Sequence, residues 1–390
     1  MTILVSGGGT GGHVTPILAV AHELKKLQPD CRIIYIGERG GKFAELTHNH
    51  AAIDHIYTIY AGKLRRYHGE SWLRRLVDIK TLLFNVRDAF FVVIGIFQAW
   101  RLVNRIKPDV VFLKGGYVGV PVGVVSAFKQ LPFITHDSDA IPGLANRLVS
   151  RWAAMHATGL PTNFYNYPKD KAVYVGVLVS DAFKSVDTEL QRQYRAELHL
   201  PADALVLLVT GGSLGALRLN TAMSQLVPEL LAKYPNLYIV HQVGKGNLNA
   251  YSVEHHPRLI VLEFMVGMHR YTGAADVVVA RAGANTLAEL GVQGKACVVV
   301  PNPDLTGGHQ LKNAEYLLEH KAVLAVDEAT FKSETDELKA TIEQLLDNPT
   351  ERRQLGKTLQ SLTKLQAAQE LAQLLLSYQN SSPPHVQNQT

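Results

Sequence analysis

Ile3-Leu4-Val5-Ser6-Gly7-Gly8-Gly9-Thr10-Gly11-Gly12-His13 begins as an apolar strand and breaks into glycines before a helical pattern takes over at Val14–Gln28. A loop of this kind leaves bare backbone N–H groups facing outward at a helix N-terminus, where the helix dipole also favours an anion. About two hundred residues later the pattern returns: Leu205-Val206-Leu207-Leu208-Val209 leads through Thr210 into Gly211-Gly212-Ser213-Leu214-Gly215. Two strand–glycine–helix units in one chain predict two nucleotide-type domains that share a phosphate-bearing ligand.

Short apolar, β-branched runs recur between the two loops and beyond them. Candidate strands in the first half are Ile3–Ser6, Arg32–Ile36, Val110–Leu113, Phe133–Thr135, Ala154–Ala157 and Val173–Val175. In the second half they are Leu205–Val209, Leu237–His241, Leu259–Leu262, Val277–Ala280, Ala296–Val300 and Ala322–Val326. Consecutive apolar positions mark strands buried on both faces of a parallel sheet, and the intervening segments are long enough for crossover helices. The fold class is therefore α/β, with two Rossmann-like doubly wound domains facing a cleft.

The polar, proline-containing stretch Pro161–Lys171 predicts the boundary, giving residues 1–165 and 166–350 as the two domains. A helix over about 351–376 is long enough to pack back on the first domain. Residues 379–390, rich in Asn, Gln, Ser and Pro, read as a disordered tail.

A chain of 390 residues with 47% hydrophobic and 19% charged content is an ordinary globular protein. Cys31 and Cys297 adjoin predicted strands and read as inert core thiols in a reducing compartment. The first strand starts at Thr2 with no basic, leader-like segment before it, so the chain is expected to stay in the cytosol.

The net charge of +5 is unevenly spread. Ten basic residues between Lys63 and Lys107 face only Glu70, Asp78 and Asp88, which puts +7 there and −2 on the rest. Within that stretch Ala89–Trp100 is twelve residues without a charge, against roughly twenty needed to cross a bilayer. Basic flanks on an aromatic, apolar run suit a helix lying at an anionic membrane surface. Arg65, Arg66, Arg74 and Arg75 would meet headgroups, and Phe90, Phe91, Ile94, Phe97 and Trp100 the apolar boundary. A buried helix with a solvated basic flank explains the same run. No nucleic-acid-binding motif accompanies the charge, so nucleic acid is not expected as a partner.

Gly7, Gly9 and Gly12 form a literal G-x-G-x-x-G, and Glu38 stands where a dinucleotide site places its acidic residue. The added glycines and His13 favour another use. At a helix start the dipole disfavours imidazolium, leaving His13 neutral and able to accept a proton; a buried structural histidine is the alternative. Lys114-Gly115-Gly116-Tyr117 and His136-Asp137-Ser138-Asp139 both follow predicted strands, where open α/β sheets bind ligands. Asp137 and Asp139 admit a metal reading, although glycine loops can take a diphosphate without a cation.

In the second half Arg281-Ala282-Gly283-Ala284-Asn285-Thr286-Leu287-Ala288-Glu289 leaves a helix start open to phosphate at Gly283 and Ala284. Arg281 adds charge there, and Glu289 can hold a vicinal diol. Farther on, Gln310 and Asn313 offer amides suited to sugar hydroxyls, or to caps and turns.

Taken together, these motifs resemble the MurG family of peptidoglycan N-acetylglucosaminyltransferases. The likeness rests on Gly8–Pro16, Ala61–Tyr67, Lys114–Val118, Ile141–Asn146, Gly211–Ala216, Arg281–Glu289 and Gln310–Ala314 in the family's order. It implies the GT-B glycosyltransferase architecture, with no cofactor and no tightly bound metal. It also implies inverting transfer from UDP-N-acetylglucosamine to the C4 hydroxyl of an undecaprenyl-diphosphate-linked muramyl-pentapeptide, at the cytoplasmic face of the membrane as a peripheral protein. A transferase acting on another membrane lipid, or a non-catalytic nucleotide-sugar-binding protein, would share most of the motifs.

Carried over from the family, Glu289 would hold the ribose, Ser213 the diphosphate with Arg281 beside it, and the backbone at Met265 the uracil. Gln310 and Asn313 would contact N-acetylglucosamine. On the chemistry of the helix start, His13 is the candidate base or acceptor organiser, with His136 in reserve. Tyr117, His136, Asp137 and Asp139 would lie at the acceptor side, and Thr10, Gly11 and Gly12 would belong to the donor-binding set, with Thr10 and His13 also facing the acceptor. The chain departs from the family at Gly176-Val177-Leu178-Val179-Ser180, where a Gly-(Asn/Thr)-Pro-(Val/Ile)-Arg motif would place a proline and an arginine.

Overall fold

The computed structural model describes residues 1–41, 47, 50–63, 79–212, 214–248, 255–303, 308–332 and 335–380. Ser213, Arg65, Arg66, Arg74, Arg75 and the tail beyond residue 380 lie outside the described residues.

The chain divides into two compact units, Met1–Ser180 with Gln366–Thr390, and Asp181–Leu365. The first is built on β1 (Thr2–Gly7), β2 (Arg32–Glu38), β3 (His55–Ile59), β4 (Val110–Gly115), β5 (Phe133–Asp137), β6 (Met155–Thr158) and β7 (Ala172–Tyr174). Its sheet runs β3-β2-β1-β4-β5-β6-β7, and every pairing is parallel. Successive residues of β1 serve opposite faces: Ile3 and Val5 join one core, Leu4 the other. This is the double burial that the unbroken apolar runs require.

β3 is the strand that sequence patterning does not reveal. His55-Ile56-Tyr57-Thr58-Ile59 lies at the sheet edge and is half exposed, so its composition lacks the apolar continuity of the others. The helices of this unit include α1 (Gly11–Leu27), α2 (Ile79–Ile106), α3 (Gly119–Phe128) and α4 (Leu144–Val149).

The second unit holds β8 (Leu205–Thr210), β9 (Leu237–Gln242), β10 (Leu259–Leu262), β11 (Val277–Ala280), β12 (Ala296–Val299) and β13 (Leu324–Ala325) in the order β10-β9-β8-β11-β12-β13. Its helices include α5 (Thr188–Glu197), α6 (Leu217–Lys233), α7 (Met268–Ala274), α8 (Ala284–Gln293), α9 (His309–Glu319), α10 (Asp336–Asp347) and α11 (Pro349–Ser361). In both sheets strand order reverses beside the first strand of the unit, between β1 and β4 and between β8 and β11. Those are the switch points at which such sheets bind ligands.

In place of one long C-terminal helix the chain makes two. α11 starts on Pro349, with Asn348 capping the Glu351 amide at 3.0 Å, and belongs to the second unit. α12 (Ala367–Leu376) belongs to the first unit, where Leu371, Ala372 and Leu375 are fully buried in the core that α1 also covers.

α2 is 28 residues long, about 42 Å at 1.5 Å per residue. The expectation of a run too short to cross a bilayer is thus corrected: Leu83–Ile106 has the length and apolarity to span one. One side of it is nonetheless packed on its own unit. Gly95 lies so close to the Tyr60 carbonyl that a Cβ would meet it at 2.1 Å, and Ala99 and Val103 are buried. On the other side Leu83, Val86, Phe90, Val93, Phe97 and Trp100 are exposed at alternating spacings of three and four. Phe91 faces inward and stacks on Tyr60 at 5.2 Å, and Ile94 is half-buried, so these two do not belong to the outer stripe.

Candidate functional site

In the first unit the switch point brings the ends of β1 and β4 together. Gly116, with φ +78°, lies against the Gly8 carbonyl so tightly that a Cβ would stand 2.1 Å from its oxygen. Gly9, at φ +90°, faces the Tyr117 ring. The glycines are required by this approach of two backbones, and the tyrosine then forms a wall beside the first loop.

α1 starts at Gly11 with Thr10 as its N-cap, which puts His13 in the first turn. His13 Nδ1 is 3.0 Å from both the Gly8 carbonyl oxygen and Thr10 Oγ1. A carbonyl can only accept, so Nδ1 carries the proton and donates it, and Nε2 keeps its lone pair. Burial, and then the charge of Lys114, push the imidazole down to about 4, so the ring is neutral at ordinary pH. His13 also lines a cavity of about 300 Å³ with Gly62, Lys63, Val92, Val120 and Leu148 on its other sides. A second cavity of about 320 Å³ lies across Tyr117 and Lys63, lined by Gly8, Gly9, Glu38 and Thr58 among others. The Tyr117 hydroxyl is hydrogen-bonded to Glu38; burial, first, and that acid hold it above the ordinary tyrosine range.

The acceptor-side expectations divide. His136 is fully buried, and its Nε2 donates to the Gly176 carbonyl at 2.9 Å. Burial holds it well below the usual histidine range. A ring enclosed in this way cannot take a proton from a substrate, so the reserve role for His136 is withdrawn. Asp137 is also buried and is satisfied by three donors: Asn146 Nδ2 at 2.9 Å, the Gly143 amide at 3.1 Å and the Tyr167 hydroxyl at 2.8 Å. It ties the loop after β5 to the start of α4. Asp139 is half exposed and acts electrostatically on His13. Among the described residues no three His, Cys, Asp or Glu side chains gather as metal ligands.

Sequence patterning passes over Lys114, Asn146 and Tyr167 as individual side chains. Lys114 is buried, with Nζ 2.9 Å from Ser138 Oγ, although an apolar strand end gives no hint of a satisfied cation. In the motif where the family has proline and arginine, Val177 and Leu178 are buried, and Gly176 takes φ +91°. Leu178 thus packs into the core at the proline position, whereas Ser180, at the arginine position, is part-exposed.

In the second unit the switch point joins the glycine loop after β8 to the turn after β11. Gly212, at φ +82°, has open space where a Cβ would be. Gly283 is the N-cap of α8 and uses no side-chain cap, so its first turn presents bare N–H groups. Arg281 is not a free cation there: its guanidinium pairs with buried Glu328 and donates to the Val300 carbonyl at 3.0 Å. Glu328 also takes Arg218 at 3.3 Å, from the first turn of α6, and Arg218 is half exposed. The trio carries one net positive charge, and Arg218 is the member that reaches solvent. Its place, three residues past Gly215, is the sequence signal for it.

Glu289 stands midway along α8, partly exposed, and burial pushes its carboxyl up to about 8. Met265 is buried in the turn before α7, between exposed Phe264 and Val266. Gln310 Oε1 accepts from the Asn302 amide at 2.9 Å, and Asn313 Nδ2 donates to the Ala282 carbonyl at 3.1 Å. Both amides therefore brace the turns around the helix starts. Cys31 and Cys297 are free and buried.

Two parallel α/β sheets, each with a glycine loop and an open helix start at its switch point, define the class. Residues 3–158 match the glycosyltransferase family 28 N-terminal domain and residues 206–375 the C-terminal domain of the same family. The chain is 33% identical to the UDP-N-acetylglucosamine--N-acetylmuramyl-(pentapeptide) pyrophosphoryl-undecaprenol N-acetylglucosamine transferase of Salinibacter ruber, over 96% of each chain. The Geobacillus kaustophilus enzyme of the same name is 35% identical over 89% of this chain and 90% of its own. A crystal structure of Acinetobacter baumannii MurG superimposes with TM-score 0.70 at 24% identity, covering 96% of this chain and 99% of that one. The chain is a family 28 glycosyltransferase and belongs to the MurG family within it. The dinucleotide reading of the first glycine loop is thereby set aside.

Proposed function

We propose that this protein transfers N-acetylglucosamine from UDP-N-acetylglucosamine to the muramyl C4 hydroxyl of an undecaprenyl-diphosphate-linked muramyl-pentapeptide. The observation that carries this reading is His13: a neutral imidazole, its tautomer set by the Gly8 carbonyl, lining a cavity beside a lipid-suited helix. The near full-length likeness to transferases named for this reaction supports the choice of substrates.

Inversion is a single displacement. The acceptor oxygen forms its bond to the anomeric carbon as the carbon–oxygen bond to UDP breaks, and that electron pair leaves with the diphosphate. The hydroxyl proton passes to His13 Nε2. The bare amides at Gly283–Ala284 and the net charge of the Arg281–Glu328–Arg218 trio meet the growing negative charge on the leaving group. Glu289 binds the ribose diol, and the turn at Met265 lies under the base. Ser213 remains assigned to the diphosphate, and Gln310 and Asn313 to the sugar.

The protein works at the cytoplasmic face of the membrane, where nucleotide sugars are available. It is held peripherally by the outer stripe of α2 together with the basic residues around it. Lys129 over Trp100 at 4.1 Å and Arg151 over Trp152 at 4.0 Å place cations beside exposed aromatic rings of the same unit, the arrangement an anionic interface favours.

The test is UDP release with and without the lipid-linked muramyl-pentapeptide. Release that depends on this acceptor is expected. Release that ignores it, or that needs a different lipid, overturns the reading, and tight UDP-sugar binding without release under any condition points to a non-catalytic protein.

A further inference from the structure

We propose that the second cavity, at the ends of β1, β2 and β3, is the subsite for the peptide stem of the acceptor, with Glu38 and Lys63 as its recognition groups. The inference deepens the proposed transfer and rests on His13 as the group that meets the muramyl C4 hydroxyl.

The cavity of about 320 Å³ has Glu38 of β2 and Thr58 of β3 on its walls. It adjoins the His13 cavity. Tyr117 and Lys63 line both, and neighbouring residues of α1 divide between them, His13 lining the first and Val14 the second. The strand ends beside a switch point are where such sheets bind ligands.

No step of the transfer uses Glu38. With the dinucleotide reading set aside, it is a carboxylate opening on a cavity that has no other assignment. The Tyr117 hydroxyl donates to it. A carboxylate can accept about four hydrogen bonds, so amide N–H groups can be added to that one. Lys63 is exposed and brings an ammonium to the wall shared with the His13 cavity. A polyprenyl chain gains nothing from these two groups, and Glu38 would repel a diphosphate. A peptide carries a partner for each: backbone N–H for Glu38 and carboxylate for Lys63.

The constitution of the acceptor puts its peptide on this side. The stem is joined through the lactyl group on O3, on the carbon next to the reacting C4. The lipid diphosphate is on C1, across the sugar ring. A C4 hydroxyl presented to His13 therefore brings the start of the stem with it, while the lipid leaves from the far side. At about 320 Å³ the cavity is near the lower end of ligand pockets, about 300–1,000 Å³, so it takes the first residues of the stem and not all of it.

The experiment compares three acceptors on one polyprenyl diphosphate: the whole stem, the stem with its carboxylates amidated, and the lactyl group alone. Wild-type kcat/KM is expected to be about fivefold higher on the whole stem than on the amidated one, the upper end for a solvated ion pair. It should be about fiftyfold higher than on the lactyl acceptor, where the bonds to Glu38 are lost as well. Lys63→Met should treat whole and amidated stems alike. Thr58→Trp, which fills the cavity from an exposed position on β3, should treat the whole stem and the lactyl group alike. Equal kcat/KM on all three acceptors in the wild type overturns the proposal, as does a preference that persists in its matching folded variant.

A reading without turnover separates this from the proposed function. Soluble N-acetylmuramyl-pentapeptide at millimolar concentration should shift the NMR amide signals of Gly40 and Gly41, which line the cavity, and N-acetylmuramic acid should leave them in place. Silence with the muramyl-pentapeptide sinks the proposal. So does a shift caused by UDP-N-acetylglucosamine, which would give Glu38 a nucleotide ribose instead. If the peptide shifts appear but no muramyl acceptor releases UDP, the proposed function falls and the peptide site stands. If release depends on a muramyl acceptor yet ignores its stem, the subsite falls alone.

Discussion

At the scale of single residues, chemistry rests on groups whose protonation the fold has moved. His13 is visible in the sequence, because a histidine after a glycine loop stands at a helix start. Its tautomer is not visible, since that depends on the Gly8 carbonyl turning onto Nδ1. His13→Gln is expected to lower kcat by about 10²–10⁴-fold with little change in KM for the nucleotide sugar. Because the imidazole is held down to about 4, protonation of His13 should not lower wild-type kcat/KM until the pH falls toward 5, where an ordinary histidine base would long have lost activity. Steady-state kinetics across that range checks both statements.

Glu289 shows the opposite shift, up to about 8 by burial. For an acid raised in the folded state, the stabilising contribution is complete below its unfolded value of 4.5 and is lost as pH climbs toward 8. Glu289→Gln should therefore melt at a progressively higher temperature than wild type as pH rises from 4.5 to 8, while losing affinity for UDP. Differential scanning fluorimetry and calorimetric titration read the two effects independently.

At the scale of elements, the loops and the long helix are decided by close approaches. Gly116 must be glycine on two counts, its positive φ and the Gly8 oxygen 2.1 Å from where a Cβ would be. Gly116→Ala should destabilise the first unit by about 1–3 kcal/mol, read as a lower urea midpoint. The helical period of α2 is legible in sequence, but which face is covered is not. Gly95, Ala99 and Val103 seat it on its own unit and leave the stripe through Phe90, Phe97 and Trp100 outside. Replacing those three aromatics with serine should abolish co-sedimentation with anionic vesicles while leaving the melting temperature nearly unchanged. Moderate salt should weaken wild-type vesicle binding without eliminating it, because screening reduces the ionic part alone.

At the scale of the whole molecule, the chain visits its first unit twice. α12 follows the entire second unit and still buries Leu371 and Leu375 completely beside α1. Each such side chain is worth about 1.5–3 kcal/mol, so ending the chain at Gln366 should cost several kcal/mol of first-unit stability. Lower solubility and an earlier thermal transition would show it. A glance at composition suggests one uninterrupted helix from 351 onward; what breaks it is the way Gly356 and Leu359 pack in the second unit while Leu371 packs in the first.

The sequence by itself determined the two parallel α/β sheets, the two glycine loops at their switch points and the family, because doubly buried strands and backbone phosphate sites need residue types that recur at short range. Tertiary structure alone decided that His136 and Asp137 are internal braces, that Arg281 is neutralised by Glu328, and which side of α2 is bare. Those outcomes depend on partners 47 residues away for Arg281 and 40 for His136. Burial and charge act through space, and residue order along the chain carries no record of which distant group will arrive.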